Sequence, residues 1–187
     1  GGAGAAFNLT GVGTIPLTDQ YVTLDPTDRF DIANRAEMVG TRLFIVADIL
    51  AFTSNQSFAG RNVAGEVTNI FLNTTGTRMT VNRNPGTGFV NAQVDLSPPV
   101  AAALRLYEIE ITPGGNVSVL VNGQLRGSVA NPFTTLGVNR IAAGQSLTSG
   151  LNANLYRTLS LIQGGDYAAR VPVIRQRLAE AYGITLP

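Results

Sequence analysis

Two runs of alternating apolar and polar residues, 104–112 and 116–120, flank Pro113-Gly114-Gly115. Alternation at period two is the pattern of half-buried strands. Proline presets φ, and the two glycines accept φ > 0, so the chain is predicted to reverse between the runs. Asn122-Gly123 follows at once, the dipeptide best suited to a type I′ hairpin turn, and residues 124–129 continue outward. The spacing predicts a meander of three antiparallel strands.

Alternation elsewhere predicts further strands at residues 7–9, 20–24, 66–72, 78–83, 89–96, 139–143 and 152–162. Residues 42–52, RLFIVADILAF, are the most apolar stretch, and Ile45-Val46 with the flanking Gly40 favours a strand buried on both faces. Turn chemistry separates these runs at Asp25-Pro26-Thr27-Asp28 (ahead of Phe30 and Ile32), at 73–76 and at 84–88, and residues 53–62 read as a polar loop. The period changes only at the end of the chain. There Ile174, Leu178, Ala181 and Tyr182 recur at helical spacing, Pro172 suits a first turn and Gly183 suits a C-cap. Regular short strands with turns between them predict an all-β antiparallel sandwich, a jelly roll, with one short C-terminal helix over 172–182.

Composition narrows the function more than the fold. The 187 residues fit one sizeable domain, read here as 7–187, with the Gly/Ala-rich 1–6 as a flexible linker or an expression remnant. A net charge of +1 supplies no field for nucleic acid or an anionic membrane, and no apolar run has the length of a membrane span. No basic segment followed by an apolar core opens the chain, so no signal peptide is expected. Cys, His and Trp are absent, and all 13 basic residues are Arg. Disulfides, thiolate chemistry, Ser-His-Asp triads and His-ligated metals are thereby excluded.

Strand parity sorts the side chains into faces. Val117, Val119 and Val121 are expected in the core, with Val90, Ala92, Val94, Leu96, Met79, Val81, Tyr107, Ile109 and Ile111. The opposite parity carries Arg78, Asn82, Asn91, Gln93, Glu108 and Glu110, planar hydrogen-bonding groups that suit sugar hydroxyls. These six are the candidate ligand-binding residues, and the competing reading is an ordinary solvated outer face. Glu108 and Glu110 share one face and so also form a carboxylate pair, whose plain reading is ion pairing with arginines. Asp48 interrupts an apolar strand and is expected either buried and hydrogen-bonded or on the same polar face; Tyr21 and Tyr156 are candidates for stacking or for the core.

The ordered set of DQYVTLDPTDRFDIAN, the central meander with Val121-Asn122-Gly123, NANLYRTLSLIQGG and IRQRLAEAYGITLP resembles the concanavalin A-like lectin/glucanase superfamily, in its laminin-G-like bacterial and phage branch. The Trp usual ahead of the meander is missing, and Leu104 or Leu106 sits near its place. The resemblance implies a non-catalytic, lectin-like domain that binds a polysaccharide or glycan. Its setting would be a phage fibre, a phage spike or a bacterial surface protein, hence a virion or extracellular location. Homotrimers are frequent in such fibres, so a homo-oligomer or attachment to a larger assembly is implied, without nucleic acid or membrane insertion. A structural virion or decoration module is the alternative. A glycoside hydrolase using Glu108 and Glu110 is the second, although the third acid of the family's glucanase cluster is absent. Related lectins hold calcium through Asp, Asn and backbone oxygens. The same resemblance therefore admits a structural Ca²⁺ on oxygens of Asp19, Asp25, Asp28, Asn73, Asp95 or Asn131, and no other cofactor or metal.

Overall fold

The computed structural model describes residues 9–12, 21–144 and 150–187. Its strands are β1 (Leu9–Val12), β2 (Val22–Leu24), β3 (Arg29–Glu37), β4 (Thr41–Ile49), β5 (Gln56–Val63), β6 (Glu66–Leu72) and β7 (Arg78–Asn84). They continue as β8 (Val90–Asp95), β9 (Leu104–Ile111), β10 (Asn116–Val121), β11 (Gln124–Ala130), β12 (Gly137–Ile141) and β13 (Ala153–Ile162), before helix α1 (Tyr167–Tyr182). One sheet has the order β1-β3-β12-β5-β6-β7-β8 and the other β11-β10-β9-β4-β13-β2, all pairings antiparallel. The expected sandwich is present. The expectations for residues 1–8, 19 and 20 lie outside the described residues.

The predicted meander is β9-β10-β11. Asn122 and Gly123 have φ of 52° and 80°, the doubly left-handed pair a type I′ turn requires. Val117, Val119 and Val121 face the other sheet and pack with Tyr107, Ile109, Ile111, Met79 and Val81 in the main core. Val90 departs from its expected place and is exposed, while Ala92, Val94 and Leu96 are buried. The two sheets meet along β8 and β11. A Cβ on Gly127 would lie 2.2 Å from the backbone oxygen of Asp95, so only glycine permits that approach.

Strand β4 is buried on both faces, as its sequence demands. Ile45, Ala47 and Ile49 point into the sandwich. Phe44 and Val46 point the other way and join Leu106, Leu161, Val171, Leu178, Ala179 and Ile184 in a second apolar layer. That layer exists because α1 lies across the outer face of the six-stranded sheet.

Three elements differ from expectation. The segment read as a polar loop contains β5, in which Gln56, Ser57, Phe58 and Ala59 are all buried. Gln56 is polar yet belongs there, because its side chain bridges turns: Nε2 donates to the Ala51 and Ser54 carbonyls, and Oε1 accepts from Asn152 N–H. Residues 30 and 32 belong to a full strand, β3. The helix begins five positions early, at Tyr167, with Pro172 inside it. Packing of Tyr167 and Val171 onto the sheet outweighs the one hydrogen bond a proline removes. Gly183 caps the end at φ 63°, as read.

Two carboxylates hold the seven-stranded sheet's periphery. Glu37 is pushed up by burial, but N–H donors from Leu136 and Val39 and the Arg35 guanidinium outweigh that and keep it below the ordinary carboxylate range. Glu66 is lowered by the Arg35 hydrogen bond first, with Arg83 and Arg61 adding to it. A carboxyl lowered in the folded state stabilises the protein above its unfolded pKa of about 4.3, and that contribution is lost as pH falls through the folded value. The urea midpoint is therefore expected to fall between about pH 5 and pH 3. Glu66→Gln should flatten that decline while lowering stability at pH 7; an unchanged slope in the variant would refute the assignment.

Candidate functional site

The six candidate residues do not share a face. Arg78, Asn82, Asn91 and Gln93 stand on β7 and β8, on the outside of the seven-stranded sheet. Glu108 and Glu110 stand on β9 of the other sheet, under α1. The expectation of one mixed amide and carboxylate face is corrected by this division. Parity places side chains on one side or the other of a strand, but it does not say which sheet the strand joins.

Beneath the helix, Glu108 is fully buried. Both its oxygens are taken: Arg175 Nε donates to Oε1 at 2.6 Å, and Arg175 Nη2 and Arg42 Nη1 donate to Oε2 at 2.9 and 2.7 Å. Arg42 Nη2 reaches Glu110 at 2.6 Å, and its Nε donates to the Tyr167 hydroxyl at 3.0 Å. Tyr167 in turn donates a short hydrogen bond to Glu110, which also accepts from Gln163. Burial pushes the Arg42 guanidinium down, but the bond to Glu108 and the charge of Glu110 hold it above its usual value. Burial and the Glu110 contact both raise the Tyr167 phenol. The plain reading of this pair, ion pairing with arginines, is what forms, though it is enclosed rather than solvated. A retaining glycosidase needs two carboxyls open to one sugar. Glu108 has no open oxygen, so the glycosidase arrangement given as the second alternative for Glu108 and Glu110 does not form.

The outside of the seven-stranded sheet is different. Antiparallel register puts Asp31, Arg140, Gly60, Asn69, Asn82 and Asn91 in one continuous row across β3, β12, β5, β6, β7 and β8. A second row runs Ser57, Phe71, Thr80 and Gln93. Directly opposed residues share a face. The sides are settled by Ile70, Leu72, Met79 and Val81, which alternate with these residues and lie in the core. At the β8 edge Arg78 donates to Asp95 at 2.6 Å and to Gln93 at 3.2 Å, leaving the Gln93 amide nitrogen directed by a fixed partner. At the other end Asp31 takes Arg29 at 3.0 Å and Arg140 at 3.6 Å.

Several polar atoms along these rows are shielded and make no hydrogen bond: Ser57 Oγ, Asn69 Oδ1, Asn82 Oδ1, Arg140 Nη1, and Arg140 Nε, which is only ion-paired with Asp31. Buried polar groups are normally satisfied, and each exception costs about 1–3 kcal/mol. Three of these five atoms are oxygens, on Ser57, Asn69 and Asn82 in the adjoining strands β5, β6 and β7. Gly144 lies against this row: a Cβ there would meet Asn69 Oδ1 at 2.2 Å, and a Cβ on Gly60 would meet Gly144 Cα at 2.6 Å. Sequence reasoning missed Asn69, Phe71, Ser57 and Arg140. Phe71 sits in an unbroken apolar run, Ile70-Phe71-Leu72, where alternation is invisible, and Asn69 could have been found only by extending the parity of Ile70 backwards.

The stacking candidates Tyr21 and Tyr156 pack on each other at 5.1 Å, and Tyr156 meets Tyr182 of the helix at 5.5 Å, so both belong to the helix side. Asp48 also faces that side, its strand neighbours Ala47 and Ile49 pointing into the main core. The oxygens considered for calcium are largely spent locally. Asp25 accepts from Thr27, Asp28 from Asp25 N–H, Asn73 from Thr77 and Arg78 N–H, Asp95 from Arg78, and Asn131 from Phe133 N–H. Asp19 lies outside the described residues. Among the described residues no three His, Cys, Asp or Glu side chains come together.

No protein-family model matches the chain, and no curated protein matches it. Solved structures do. Domain 4 of AbnA, a GH43 extracellular arabinanase from Geobacillus stearothermophilus in complex with arabinotriose, is similar at TM-score 0.61 and 10% identity, over 81% of this chain and 77% of that one. A legume lectin-like domain from Entamoeba histolytica is similar at TM-score 0.53 and 11% identity, over 84% and 91%. Botulinum neurotoxin type C, whose passage into cells depends on interaction with two ganglioside molecules, is similar at TM-score 0.59 and 11% identity, over 94% of this chain and 47% of that structure. The fold is therefore the concanavalin A-like jelly roll of the sequence resemblance. Likenesses at these identities establish the fold alone.

Removing Glu108 would leave two guanidiniums facing each other under the helix. Glu108→Ala is expected to cost about 3–5 kcal/mol, read as a lower urea midpoint. A change within about 0.5 kcal/mol, as for an ordinary surface site, would mean the cluster does not hold α1 down.

Proposed function

We propose that the outer face of the seven-stranded sheet binds a carbohydrate without transforming it. The observation that carries this reading is the in-register amide row Asn69, Asn82 and Asn91 beside Phe71, Thr80 and Gln93, with the Asn82 carbonyl oxygen lacking a partner. A sugar presents hydroxyls that both donate and accept, and carboxamides match both roles at fixed spacing. Phe71, half-buried at the centre, offers an apolar surface to the C–H side of a ring. Arg78 and Asp95 hold Gln93 at one edge, so little order is lost on binding. The arabinotriose, lectin-like and ganglioside relationships of the similar structures support the same class of ligand.

In this reading the chain is a recognition domain of a phage fibre, a phage spike or a bacterial surface protein, acting on the virion or outside the cell. Support for that setting comes from the helix that ends in Tyr182-Gly183-Ile184 and from the low charge. Among the described residues no helix is long and apolar enough to cross a membrane. A second reading, a structural or decoration module within a homo-oligomer, is favoured by Leu125, 57% exposed on the edge strand β11.

The test is a polysaccharide and glycan array on the whole chain, with and without a calcium chelator, followed by calorimetry on the best ligand. Saturable binding is expected. The double variant Asn82→Ala/Gln93→Ala should weaken it at least tenfold, about 1.4 kcal/mol, with the same folded baseline. Binding that survives unchanged in the variant, or no binding by a folded sample, overturns the reading. Chelator sensitivity would place a calcium beside the ligand.

A further inference from the structure

Where the sandwich edges meet, away from the amide face, two adjoining cavities of about 180 and 220 Å³ share Val121 and Arg126 as a common wall. The first, partly open to solvent, is lined by Pro98, Pro99, Val100, Ala101 and Arg105. The second is lined by Asn122, Gln124 and Thr185, with Leu186 and Pro187 of the C-terminal segment. No Asp or Glu lines either. Among the described residues Arg105 and Arg126, like Arg157 and Arg177, make no ion pair with a carboxylate, whereas Arg29, Arg35, Arg42, Arg61, Arg78, Arg83, Arg140, Arg170 and Arg175 do. Arg126 Nε is shielded from solvent and has no hydrogen-bond partner.

The placement of these arginines follows from the strands. Arg105 has the parity of Tyr107 and Ile109, so it projects between the sheets at the open end of β9. Its neighbour in β4 is Ala47, a core residue, while Asp48 has the opposite parity and faces the helix side. Arg126 sits where the register of β10 and β11 shifts, next to Gly127 and the close approach to Asp95. The bulge turns its guanidinium away from the strand ladder and into the cavity wall. Two positive charges are thus held at one opening with, among the described residues, no carboxylate within ion-pairing distance of either. Neighbouring like charges repel, and a shielded donor without an acceptor is costly. A bound anion removes both penalties, and arginine suits a planar carboxylate best because its forked donors match two oxygens.

We infer that this opening is a second binding site, for a carboxylate carried on a ring-sized body. The first cavity is larger than the roughly 150 Å³ space that holds benzene in an engineered core. The second places amide and hydroxyl groups beside it, as the hydroxyls of an acidic sugar unit would require. A free small carboxylate shares the anion chemistry and is the other source. The site shares no lining residue with the amide face, so it stands whether or not that face binds sugar.

The test titrates the ¹⁵N-labelled whole chain with sodium glucuronate, glucose and sodium acetate in turn, following the arginine Nε–Hε resonances at constant ionic strength. Glucuronate is expected to shift two of these resonances saturably. Each should be assigned by its loss in Arg105→Gln or Arg126→Gln, and either variant should weaken binding at least tenfold. Asn82→Ala should leave the titration unchanged, which separates this site from the sheet face. Glucuronate binding well above acetate supports a sugar acid as the source; equal binding supports the anion site with a free carboxylate as its source. Equal shifts with glucose, or no saturable shift at either arginine, overturn the inference. The resonances are read first in the unmodified chain, so a variant that fails to fold does not decide the outcome.

Discussion

Glu108 is the residue on which the arrangement of the two faces depends. A lone ionised carboxylate inside a protein carries a desolvation cost of several kcal/mol, and only paired, hydrogen-bonded partners offset it. Here Arg42 supplies one partner from β4 of the same sheet and Arg175 supplies the other from the helix. The bond from Arg175 can form only with α1 seated, and the seat is apolar: Phe44, Val46, Leu106 and Leu161 against Val171, Leu178 and Ala179. The apolar layer gives the affinity of helix for sheet, and the ion cluster gives its register. Among the described residues no helix covers the outer face of the seven-stranded sheet.

Much of this was legible in the chain. The meander of β9, β10 and β11 followed from alternation and from Asn122-Gly123, because a type I′ turn leaves little choice of register. The double-sided burial of β4 was legible too, since no half-exposed strand carries Leu-Phe-Ile-Val. Strand β5 was not legible. Gln56, Ser57, Gly60, Arg61 and Asn62 look like loop chemistry, and only tertiary contacts, such as Gly60 against Gly144, show why small and polar residues fit there. The helix start was misplaced because Pro172 is a strong local signal, whereas Tyr167 is anchored by Arg42 and Glu110, more than fifty residues away.

The site divided along the same line. Parity sorted Arg78, Asn82, Asn91 and Gln93 correctly to the side opposite Met79 and Val81. It sorted Glu108 and Glu110 correctly as well, opposite Tyr107 and Ile109. The error lay in joining the two sets, for strand order is a long-range property: β9 neighbours β4 and β10, while β7 neighbours β6 and β8. Asn69 and Arg140 were missed for the same reason. Neither stands out locally, and they enter the site only through a row that runs across six strands.

The unpartnered atoms on the amide face have an energetic consequence for any ligand. A polar group that is hydrated in the free protein must lose its water before it can bond a ligand, so the net gain per hydrogen bond is only about 0.5–1.5 kcal/mol. Asn82 Oδ1 and the Arg140 donors are shielded already, so that desolvation is incurred on folding and not on binding. The exposed Asn91 and Gln93 amides, by contrast, keep their water until a ligand displaces it. The fold bears a cost at these positions that packing could have avoided by using apolar residues. In the proposed reading this face binds through fixed amide dipoles rather than through net charge, which suits a chain of net charge +1 and a neutral, strongly hydrated ligand.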